Sequence, residues 1–499
     1  MHDSVKAYLD RYSITPQTRS FLGAAPKLFV NGQFIEGAAT GTLDVIEPST
    51  GAKIAEVLMG AKSDVDAAVA AARRAFDEGP WPRMAPNARE RILHKLADLM
   101  ERDARHLAEI ESLDTGKAIG PCLEADILSS ADLLRYMAGW ATKIEGATRD
   151  ISSKGFFSYT RKAPVGVVGA ITPWNFPLNT LLWKFAAAMA VGCTMVVKTS
   201  EITPMSAMIF ARLTQEAGIP EGVFNVVTGA GREVGASLAG HPGIDKLTFT
   251  GSTATGRAVG HAAMDNFTTL TLELGGKSPM CVFPDADLDA LAEGTRWSVY
   301  FNTGQNCSAG TRLYLHKDVY DAGVKVIVDR IGRMNVCEGL NPDCDMGPMV
   351  SAAQRNSVRR YIDMGRTDGE VLMGAEQPDG PGFFVNPTLI AMRDNKHPLV
   401  QEEIFGPVLV VLPFETEDEV IGLANDTRYG LAASVWTAQN ARAVRVSERL
   451  NAGSVWINCH DILDSAMPFG GVKASGFGKD MGREQLDSVL KTKAVTMAL

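Results

Sequence analysis

A regular alternation of short apolar runs with helical segments constrains the fold of this chain more than any other feature of its sequence. The strands that this alternation predicts are Val165–Ile171, Thr194–Lys198, Val223–Thr228 and Lys246–Thr250. Helical segments, among them Leu178–Val191, separate these strands. Steps of ~25 residues from strand to strand suit right-handed βαβ units. The pattern therefore predicts a parallel sheet with helices on its faces, as in nucleotide-binding α/β domains.

The remainder of the sequence predicts a second α/β domain, a small protruding sheet and a long helix. A looser alternation between residues 276 and 473 predicts a second α/β domain, with strands at Met280–Phe283, Leu313–His316, Val408–Pro413 and Ser454–Asn458. The stretches 146–161 and 491–499 are strand-like mixtures of polar and apolar residues, and they are expected to pair as a small protruding sheet. Apolar residues at helical spacing predict one helix over Glu90–Leu113.

These predictions divide the chain into domains. With 499 residues it is long enough for about three domains of ~150 residues. We assign residues 1–145 and 164–275 to the nucleotide-binding domain and residues 276–478 to the second α/β domain. Residues 146–163 and 486–499 form the protruding β element.

Composition argues against several classes of function. The formal net charge is −9 and the basic residues are spread along the chain, so neither a nucleic-acid nor a membrane partner is expected. The longest apolar stretch, Phe185–Val197, is interrupted by Gly192 and is shorter than the ~18 residues that span a bilayer. Seven scattered cysteines without metal-ligand spacing predict a reduced, cytoplasmic protein that holds no metal.

Two glycine-containing stretches are candidates for binding a phosphate. Thr250–Gly256 follows a predicted strand and begins a helical stretch, and the free N–H groups of a helix N-terminus suit a pyrophosphate. A simple capped turn explains the same residues equally well. The stretch Gly229–Gly235 has one residue too many for the usual dinucleotide fingerprint, and by itself it favours an ordinary turn.

Three residues have the chemistry of a reactive site. Cys307 lies in the polar stretch 302–310, where backbone N–H groups can stabilise a thiolate or an oxyanion. Glu273 precedes two glycines that permit the close approach of a ligand. Asn175 is held between two prolines at the carboxyl end of a strand, where ligands bind in open α/β sheets. Taken singly, an inert thiol, a solvated carboxylate and a turn-forming amide are the more frequent interpretations.

Eight short motifs occur in order along the chain, and three of them contain Asn175, Glu273 and Cys307. Their joint occurrence is stronger evidence for a reactive site than any of these residues alone. They are PWNFP (173–177), VVKTSE (196–201), FTGST (249–253), ELGGK (273–277), GQNC (304–307), EEIFGP (402–407), NDTRYGLAAS (425–434) and PFGGVKASGFG (468–478). Over essentially its full length the chain resembles the aldehyde dehydrogenase superfamily. The resemblance implies an α/β fold with a Rossmann-like parallel-sheet cofactor domain, a second α/β catalytic domain and a small protruding β oligomerisation element.

The resemblance also implies a mechanism. Cys307 is expected to attack the aldehyde carbonyl as a thiolate, which leads to a thioester. The side-chain amide of Asn175 and the backbone N–H of Cys307 would stabilise the oxyanion. Glu273 would act as the general base for the water that hydrolyses the thioester. Lys184 corresponds to a family lysine near the path of water and protons, and it would assist.

The cofactor implied by the resemblance is NAD. The residues expected to bind it are Trp174, Lys198, Glu201, Gly251, Ser252, Glu403 and Phe405. Lys198 and Glu201 would bind the adenosine ribose, and Glu403 and Phe405 the nicotinamide end. The carboxylate of Glu201 would repel the 2′-phosphate of NADP, so NAD is predicted to be preferred.

The aldehyde-binding residues follow from the same correspondence. They are Phe176, Thr180, Trp183, Phe301, Asn306, Ser308, Asp461, Leu463 and Phe469. Four of them are aromatic, which favours an apolar or aromatic substrate tail, although some of these rings are expected only to pack the core. Four further stretches carry a finer resemblance: RYMAGWATKIEG (135–146), YTRKAPVGVVGAI (159–171), ASVWTAQN (433–440) and VWINCHDILDSAMPFGG (455–471). At the level of the whole chain they make the resemblance strongest to phenylacetaldehyde dehydrogenases. Asn306 stands where relatives often carry Val or Cys, so a purely apolar tunnel is in doubt.

Alternatives to this prediction remain open. The polar residues near the nucleophile would also suit an aminoaldehyde or betaine aldehyde dehydrogenase. A protein that keeps the fold but is catalytically silent is a further possibility, against which the joint presence of Cys307, Glu273 and Asn175 argues. The resemblance predicts a homotetramer built on the protruding sheet. The segment Met1–Ala25 has no assigned role.

Overall fold

The computed structural model describes residues 3–39 and 41–499. Its strands are β1 Leu28–Val30, β2 Gln33–Ile35, β3 Thr42–Glu47, β4 Ala52–Leu58, β5 Thr148–Arg149, β6 Phe156–Pro164, β7 Val167–Ile171, β8 Thr194–Lys198, β9 Phe224–Val227, β10 Lys246–Thr250, β11 Thr269–Glu273, β12 Pro279–Val282, β13 Arg312–His316, β14 Glu370–Met373, β15 Thr388–Ala391, β16 Val408–Phe414, β17 Ala432–Trp436, β18 Ser454–Ile457, β19 Gly476–Phe477 and β20 Leu490–Ala498. Its α-helices are α1 Asp3–Leu9, α2 Pro16–Leu22, α3 Lys62–Asp77, α4 Pro86–Arg102, α5 Ala104–Thr115, α6 Ile119–Pro121, α7 Ser129–Ala138, α8 Pro177–Val191, α9 Met205–Ala217, α10 Ala236–Ala239, α11 Thr253–Met264, α12 Leu288–Thr295, α13 Tyr320–Ile331, α14 Ala352–Asp368, α15 Pro398–Gln401, α16 Glu417–Asn425 and α17 Asn440–Arg449.

The first large sheet has the order β19-β11-β10-β7-β8-β9-β1-β2. Its central strands, from β11 to β9, are parallel. The flanking pairings, β19 with β11, β1 with β9 and β2 with β1, are antiparallel. The strands β7 and β8 are rich in valine and are buried along their whole length, as expected of parallel strands covered by helices on both faces. The sequence therefore predicted the four central strands β7 to β10 correctly, whereas β11, β19, β1 and β2 were not predicted.

The helix between β7 and β8 shows how local sequence sets the boundaries of an element. Pro177 occupies the first turn of α8, where its missing N–H is of no consequence. Gly192 ends the helix with a φ of 97°, a left-handed conformation that glycine adopts without strain. Nearly every side chain of α8 is buried, so the helix packs between the sheet and its neighbours. It carries the residues that follow Asn175 into the interior.

The second large sheet has the order β14-β15-β16-β13-β12-β17-β18, and only β14 runs antiparallel to its neighbour. The segment that contains Cys307 lies between β12 and β13. The expectation of a second α/β unit is confirmed. A third sheet, β20-β6-β5, is antiparallel and pairs Leu490–Ala498 with Phe156–Pro164, as the strand-like stretches predicted.

The structure differs from the sequence predictions in two places. The predicted helix Glu90–Leu113 is two helices, α4 and α5, which meet at Asp103 with a φ of −98° and a ψ of 13°. Only Asp103 departs from helical geometry at this junction. The buried faces of α4 and α5 therefore stay nearly in register, and the apolar spacing in the sequence continues across the break. Strand β19 lies within residues 276–478, yet it pairs with β11 in the first sheet. The remaining domain boundaries stay predictions.

Among the helices of residues 3–39 and 41–499, none is long and apolar enough to cross a membrane.

Candidate active site

A deep cleft of about 1460 Å³ runs between the two large sheets. It is lined by residues from the carboxyl ends of β7, β8 and β10, by the segment around Cys307 and by the segment that follows β18. Nineteen of the twenty residues that the sequence singled out line it, and Lys184 is the exception. The tertiary structure therefore brings together side chains that are almost 300 positions apart in the chain.

The position of the cleft follows from the strand order. After β7 the chain moves to β8 and β9 on one side, and then returns to β10 on the other side of β7. At such a reversal the loops after two adjacent strands diverge and leave a crevice, where ligands bind in open α/β sheets. Asn175 follows β7 and Gly251 follows β10, so both lie at this crevice.

The segment before Cys307 has an unusual backbone. Asn302, Thr303 and Gly304 have φ values of 48°, 56° and 69°, which for the two non-glycine residues is a costly left-handed conformation. At Gly304 a Cβ atom would lie 2.2 Å from the Gly406 carbonyl, so a larger residue does not fit. The Thr303 hydroxyl donates to the Gly347 carbonyl at 2.9 Å. Such contacts hold the strained segment in place and present Cys307 to the cleft.

Asn175 is fixed by the same segment. Its Nδ2 donates to the Gln305 carbonyl at 2.9 Å, and its own carbonyl accepts from Nδ2 of Asn302 at 2.9 Å. An amide nitrogen has two hydrogens, so one N–H of Asn175 remains available to a ligand in the cleft. The side chain is 6% exposed and is therefore largely shielded from water.

Glu273 lies at the end of β11 and is 3% exposed. Among the residues that the structure describes, neither of its carboxylate oxygens makes a hydrogen bond of normal geometry. Burial raises the pKa of this carboxyl well above its usual range, and the nearby carboxylate of Asp480 raises it further. The Lys184 and Lys479 ammonium groups act in the opposite direction. A buried carboxyl with a raised pKa and unused oxygens is the typical form of a general base.

Lys184 lies behind the cleft rather than in its wall. Its Nζ forms a buried ion pair with Oδ2 of Asp480 at 2.8 Å, and both side chains are almost fully enclosed. Nε2 of Gln485 donates to the other oxygen of Asp480 at 3.0 Å. Breaking a buried ion pair by removing one partner costs about 3–5 kcal/mol. Replacement of Lys184 would therefore test stability as much as any contribution to proton movement.

One end of the cleft fits a dinucleotide. Nζ of Lys198 and Oε2 of Glu201 lie 2.8 Å apart at the carboxyl end of β8, where ribose hydroxyls can be bound. Ser252 caps α11 by accepting from the Thr255 N–H at 3.2 Å. Gly251, Ser252 and Thr255 line the cleft, so the N-terminus of this helix, where the helix dipole favours an anion, lies at the cleft wall. The two predicted phosphate-binding residues thus lie at a helix N-terminus, as the sequence suggested.

The middle of the cleft carries a carboxylate and two aromatic rings. Glu403 accepts from the Gly276 N–H at 3.1 Å, and burial raises its pKa to about 7. The rings of Trp174 and Phe405 meet edge to face with centroids 5.1 Å apart. Phe405 adopts a φ of 56°, an uncommon conformation for a bulky residue, and it lines the cleft. These groups suit the ribose and the flat ring of a nicotinamide.

Two aromatic groups line the opposite end of the cleft. The rings of Phe176 and Phe301 have centroids 5.8 Å apart, and those of Trp183 and Phe469 have centroids 5.3 Å apart. Phe469 is 3% exposed and also belongs to the hydrophobic core, so for this ring the packing role expected for some of the aromatics applies as well. Leu463 lies at the mouth and is 44% exposed.

Polar side chains interrupt this aromatic wall. The Thr180 hydroxyl is taken up by the Phe176 carbonyl at 2.7 Å and is therefore a helix contact rather than a free donor. Nδ2 of Asn306 donates to Oδ2 of Asp461 at 2.7 Å. The Ser308 hydroxyl lies 3.2 Å from Oδ1 of Asn306. These contacts explain how a polar residue is accommodated next to the thiol.

Sequence reasoning missed several residues at this site. Asn302 and Gln305 fix Asn175, Asp480 pairs with Lys184, and Trp297 extends the aromatic wall with a ring centroid 5.8 Å from that of Phe301. Asn302 and Gln305 lie within five positions of Cys307, and this proximity was the only signal available for them. Nothing local marks Asp480, since its partner Lys184 is 296 positions away. Trp297 lies four positions before Phe301, and this helical spacing was its only local signal.

A dinucleotide-sized crevice that ends at a thiol and an unpartnered buried carboxyl defines a dehydrogenase of the thiol-dependent class. The chain belongs to the aldehyde dehydrogenase family, whose model matches residues 34–495. It is 43% identical to an aldehyde dehydrogenase of Alternaria alternata, over 97% of each chain. It is 42% identical to the phenylacetaldehyde dehydrogenase of Pseudomonas fluorescens, over 95% of this chain and 96% of that protein.

Comparison with solved structures agrees with this membership. The structure of an aldehyde dehydrogenase from Bacillus cereus in complex with NAD⁺ superimposes with a TM-score of 0.96 and 42% identity, covering 98% of this chain and 99% of that one. The protein is an NAD-dependent aldehyde dehydrogenase. The family, the fold class and the cofactor predicted from the sequence are confirmed.

Proposed function

We propose that this enzyme oxidises aldehydes with an aryl tail, such as phenylacetaldehyde, to the corresponding carboxylates through a thioester on Cys307. The observation that carries the proposal is the pair of aromatic groups that line the cleft up to the thiol. Offset or tilted rings at such separations favour an aromatic guest over a flexible alkyl chain. The 42% identity to a phenylacetaldehyde dehydrogenase supports the same substrate class.

The proposed chemistry assigns one task to each buried group. The Cys307 sulfur bonds to the aldehyde carbon, and the carbonyl oxygen becomes an oxyanion that accepts from the free N–H of Asn175 and from the Cys307 backbone N–H. When bound, NAD supplies the group that accepts the hydrogen and two electrons from the substrate. Water then attacks the resulting thioester while Glu273 accepts one of its protons, and cleavage of the C–S bond releases the carboxylic acid and the Cys307 thiolate.

We propose that the cofactor binds to the residues described above along the cleft. Lys198 and Glu201 hold the adenosine ribose, and Gly251 and Ser252 lie beside the pyrophosphate. Trp174 lines the pyrophosphate route, Glu403 binds the nicotinamide ribose, and Phe405 packs on the nicotinamide ring. Because Glu201 is ionised, it disfavours a 2′-phosphate by like-charge repulsion.

Replacing Glu201 by Ala is expected to relax the choice of cofactor. The variant loses the repulsion toward a 2′-phosphate and frees the Lys198 ammonium, which now lies 2.8 Å from the carboxylate. The ratio of kcat/KM for NAD to that for NADP should fall by about tenfold or more. Steady-state kinetics with both cofactors measure this ratio. Glu233→Ala removes an exposed charge from the neighbouring turn and serves as the control; an equal fall in both variants would contradict the role of Glu201.

A panel of aldehydes tests the substrate class. Phenylacetaldehyde, hexanal, betaine aldehyde and 4-aminobutyraldehyde would be compared by NADH formation, each with NAD and with NADP. We expect the highest kcat/KM with phenylacetaldehyde and NAD. If hexanal is oxidised as efficiently as phenylacetaldehyde, the aromatic wall does not select the substrate and the proposal fails.

Aminoaldehydes are a second candidate substrate class because of Asp461. Its carboxylate lies beside the residue that precedes the nucleophile, and a cationic substrate would interact favourably with it. A preference for 4-aminobutyraldehyde or betaine aldehyde in the same panel would select this alternative and retain the thioester mechanism.

Assembly and location are also proposed. The sheet β20-β6-β5 exposes Phe156, Phe157 and Met497, each more than 40% accessible, which suits burial against another subunit. We therefore propose a homotetramer built on this sheet, which the mass in solution would test. The seven cysteines are unpaired, as expected in the reducing cytoplasm, where we place the protein.

A further inference from the structure

Asn306 connects the nucleophile to a carboxylate that follows β18. Its Nδ2 donates to Oδ2 of Asp461 at 2.7 Å. A side-chain amide has donors on its nitrogen and an acceptor on its oxygen, so the carboxylate determines which end of the amide faces the thiol. Oδ1 of Asn306 accordingly lies 4.0 Å from Sγ of Cys307 and 3.2 Å from the Ser308 hydroxyl.

We infer that Asp461, acting through Asn306, holds Cys307 in its protonated thiol form in the free enzyme and so sets the pH at which the nucleophile becomes available. An acceptor oxygen that faces the sulfur stabilises S–H and repels a thiolate. The inference rests on the proposed role of Cys307 as nucleophile. It makes Asp461 a positioning residue, since it acts on the reacting atom through another side chain.

The electrostatics around the thiol act in the same direction. Burial raises the pKa of the Cys307 thiol, and the nearby carboxylates, in decreasing order Asp461, Glu403 and Glu273, raise it further. The backbone N–H of Ser308 acts in the opposite direction. Asp461 therefore acts on the Cys307 thiol in two ways. It orients the Asn306 amide, and of the three nearby carboxylates it raises the pKa of the thiol most.

The surroundings of Asp461 keep it in position. Burial raises the pKa of its carboxyl, while the His460 ring and hydrogen bonds from Ser308 and Asn306 lower it. The His460 ring is itself fixed, with Nδ1 2.9 Å from the Ser434 hydroxyl and Nε2 2.9 Å from the Ser308 carbonyl. Asp461 has a φ of 58°, a left-handed conformation that Asn and Gly also tolerate.

That backbone conformation defines the variants for a test. Asp461→Asn removes the charge with little change of shape, and Asp461→Gly removes the whole side chain, and both suit the positive φ. In each variant the amide of Asn306 loses the carboxylate that orients it. Asp464→Asn is the matched control, because its carboxylate is exposed at the rim and accepts a local N–H, from Ala466 at 2.8 Å.

The readout is the pH dependence of alkylation of Cys307 by iodoacetamide. It would be measured on the full-length protein by peptide mass mapping, with Cys307→Ala to correct for the other cysteines. In both Asp461 variants we expect the midpoint of the rate profile to fall by about one pH unit or more. The acid limb of kcat/KM should move to lower pH by the same amount, a change that a merely structural loss would not produce.

Two outcomes would overturn the inference. In the first, the midpoint of the alkylation profile shifts in both Asp461 variants by no more than it shifts in Asp464→Asn. In the second, the midpoint rises. Alkylation does not depend on turnover, so this result is separate from a failure of the proposed function. That failure would instead appear as activity that survives in Cys307→Ala.

Discussion

Cys307→Ala is expected to abolish aldehyde oxidation, lowering kcat by at least about 10⁴-fold, because no other group can form the thioester. Cys307 is the only cysteine among the lining residues of the cleft in the described part of the chain. The substitution removes a single sulfur atom from a partly exposed position, so the fold should be preserved. NADH formation with phenylacetaldehyde measures the loss.

Binding of NAD separates this loss from unfolding. The cofactor half of the cleft does not include the thiol, so the dissociation constant of NAD, measured by calorimetry, should change little. Cys459→Ala is a suitable control, since Cys459 is also partly exposed but does not line the cleft. If Cys307→Ala keeps more than about a few per cent of the wild-type activity, Cys307 is excluded as the nucleophile.

Glu273→Gln is expected to have the second largest effect, a fall in steady-state turnover of about 10²–10⁴-fold. A glutamine amide cannot accept the proton of the attacking water, whereas the first half of the reaction does not require it. The variant should therefore produce one equivalent of NADH in a rapid burst and then turn over slowly as the thioester accumulates. Rapid mixing resolves the burst, and mass spectrometry of the quenched protein detects the acyl group on Cys307.

The pH dependence of wild type and variant provides an independent check. Only the ionised carboxyl accepts a proton, and burial raises the pKa of Glu273. Wild-type turnover should therefore be lost, as the pH falls, at a higher pH than for an exposed carboxyl, and this limb should be missing in Glu273→Gln. The variant also replaces a buried carboxyl that lacks hydrogen bonds of normal geometry by an uncharged side chain of the same shape, so its free energy of unfolding should change little. Absence of the burst would contradict the assignment of Glu273 to thioester hydrolysis.

The predictions from sequence succeeded where local pattern carries the information. Buried valine-rich runs defined β7 and β8, and proline and glycine marked the ends of α8, because these features depend on the backbone preferences of the residues themselves. The helix junction at Asp103 was missed, since the apolar spacing continues across it. The motifs identified the family, and through it the residues that line the cleft.

The sequence by itself determined the α/β class, the family and the identity of the chemical groups at the site. Only the tertiary structure decided what surrounds them: that Lys184 lies behind the cleft in a pair with Asp480, and that Asp461 orients Asn306 beside the thiol. These contacts join residues separated by about 150 to 300 positions. No local pattern encodes such contacts, because burial and electrostatic fields arise only when distant segments pack together.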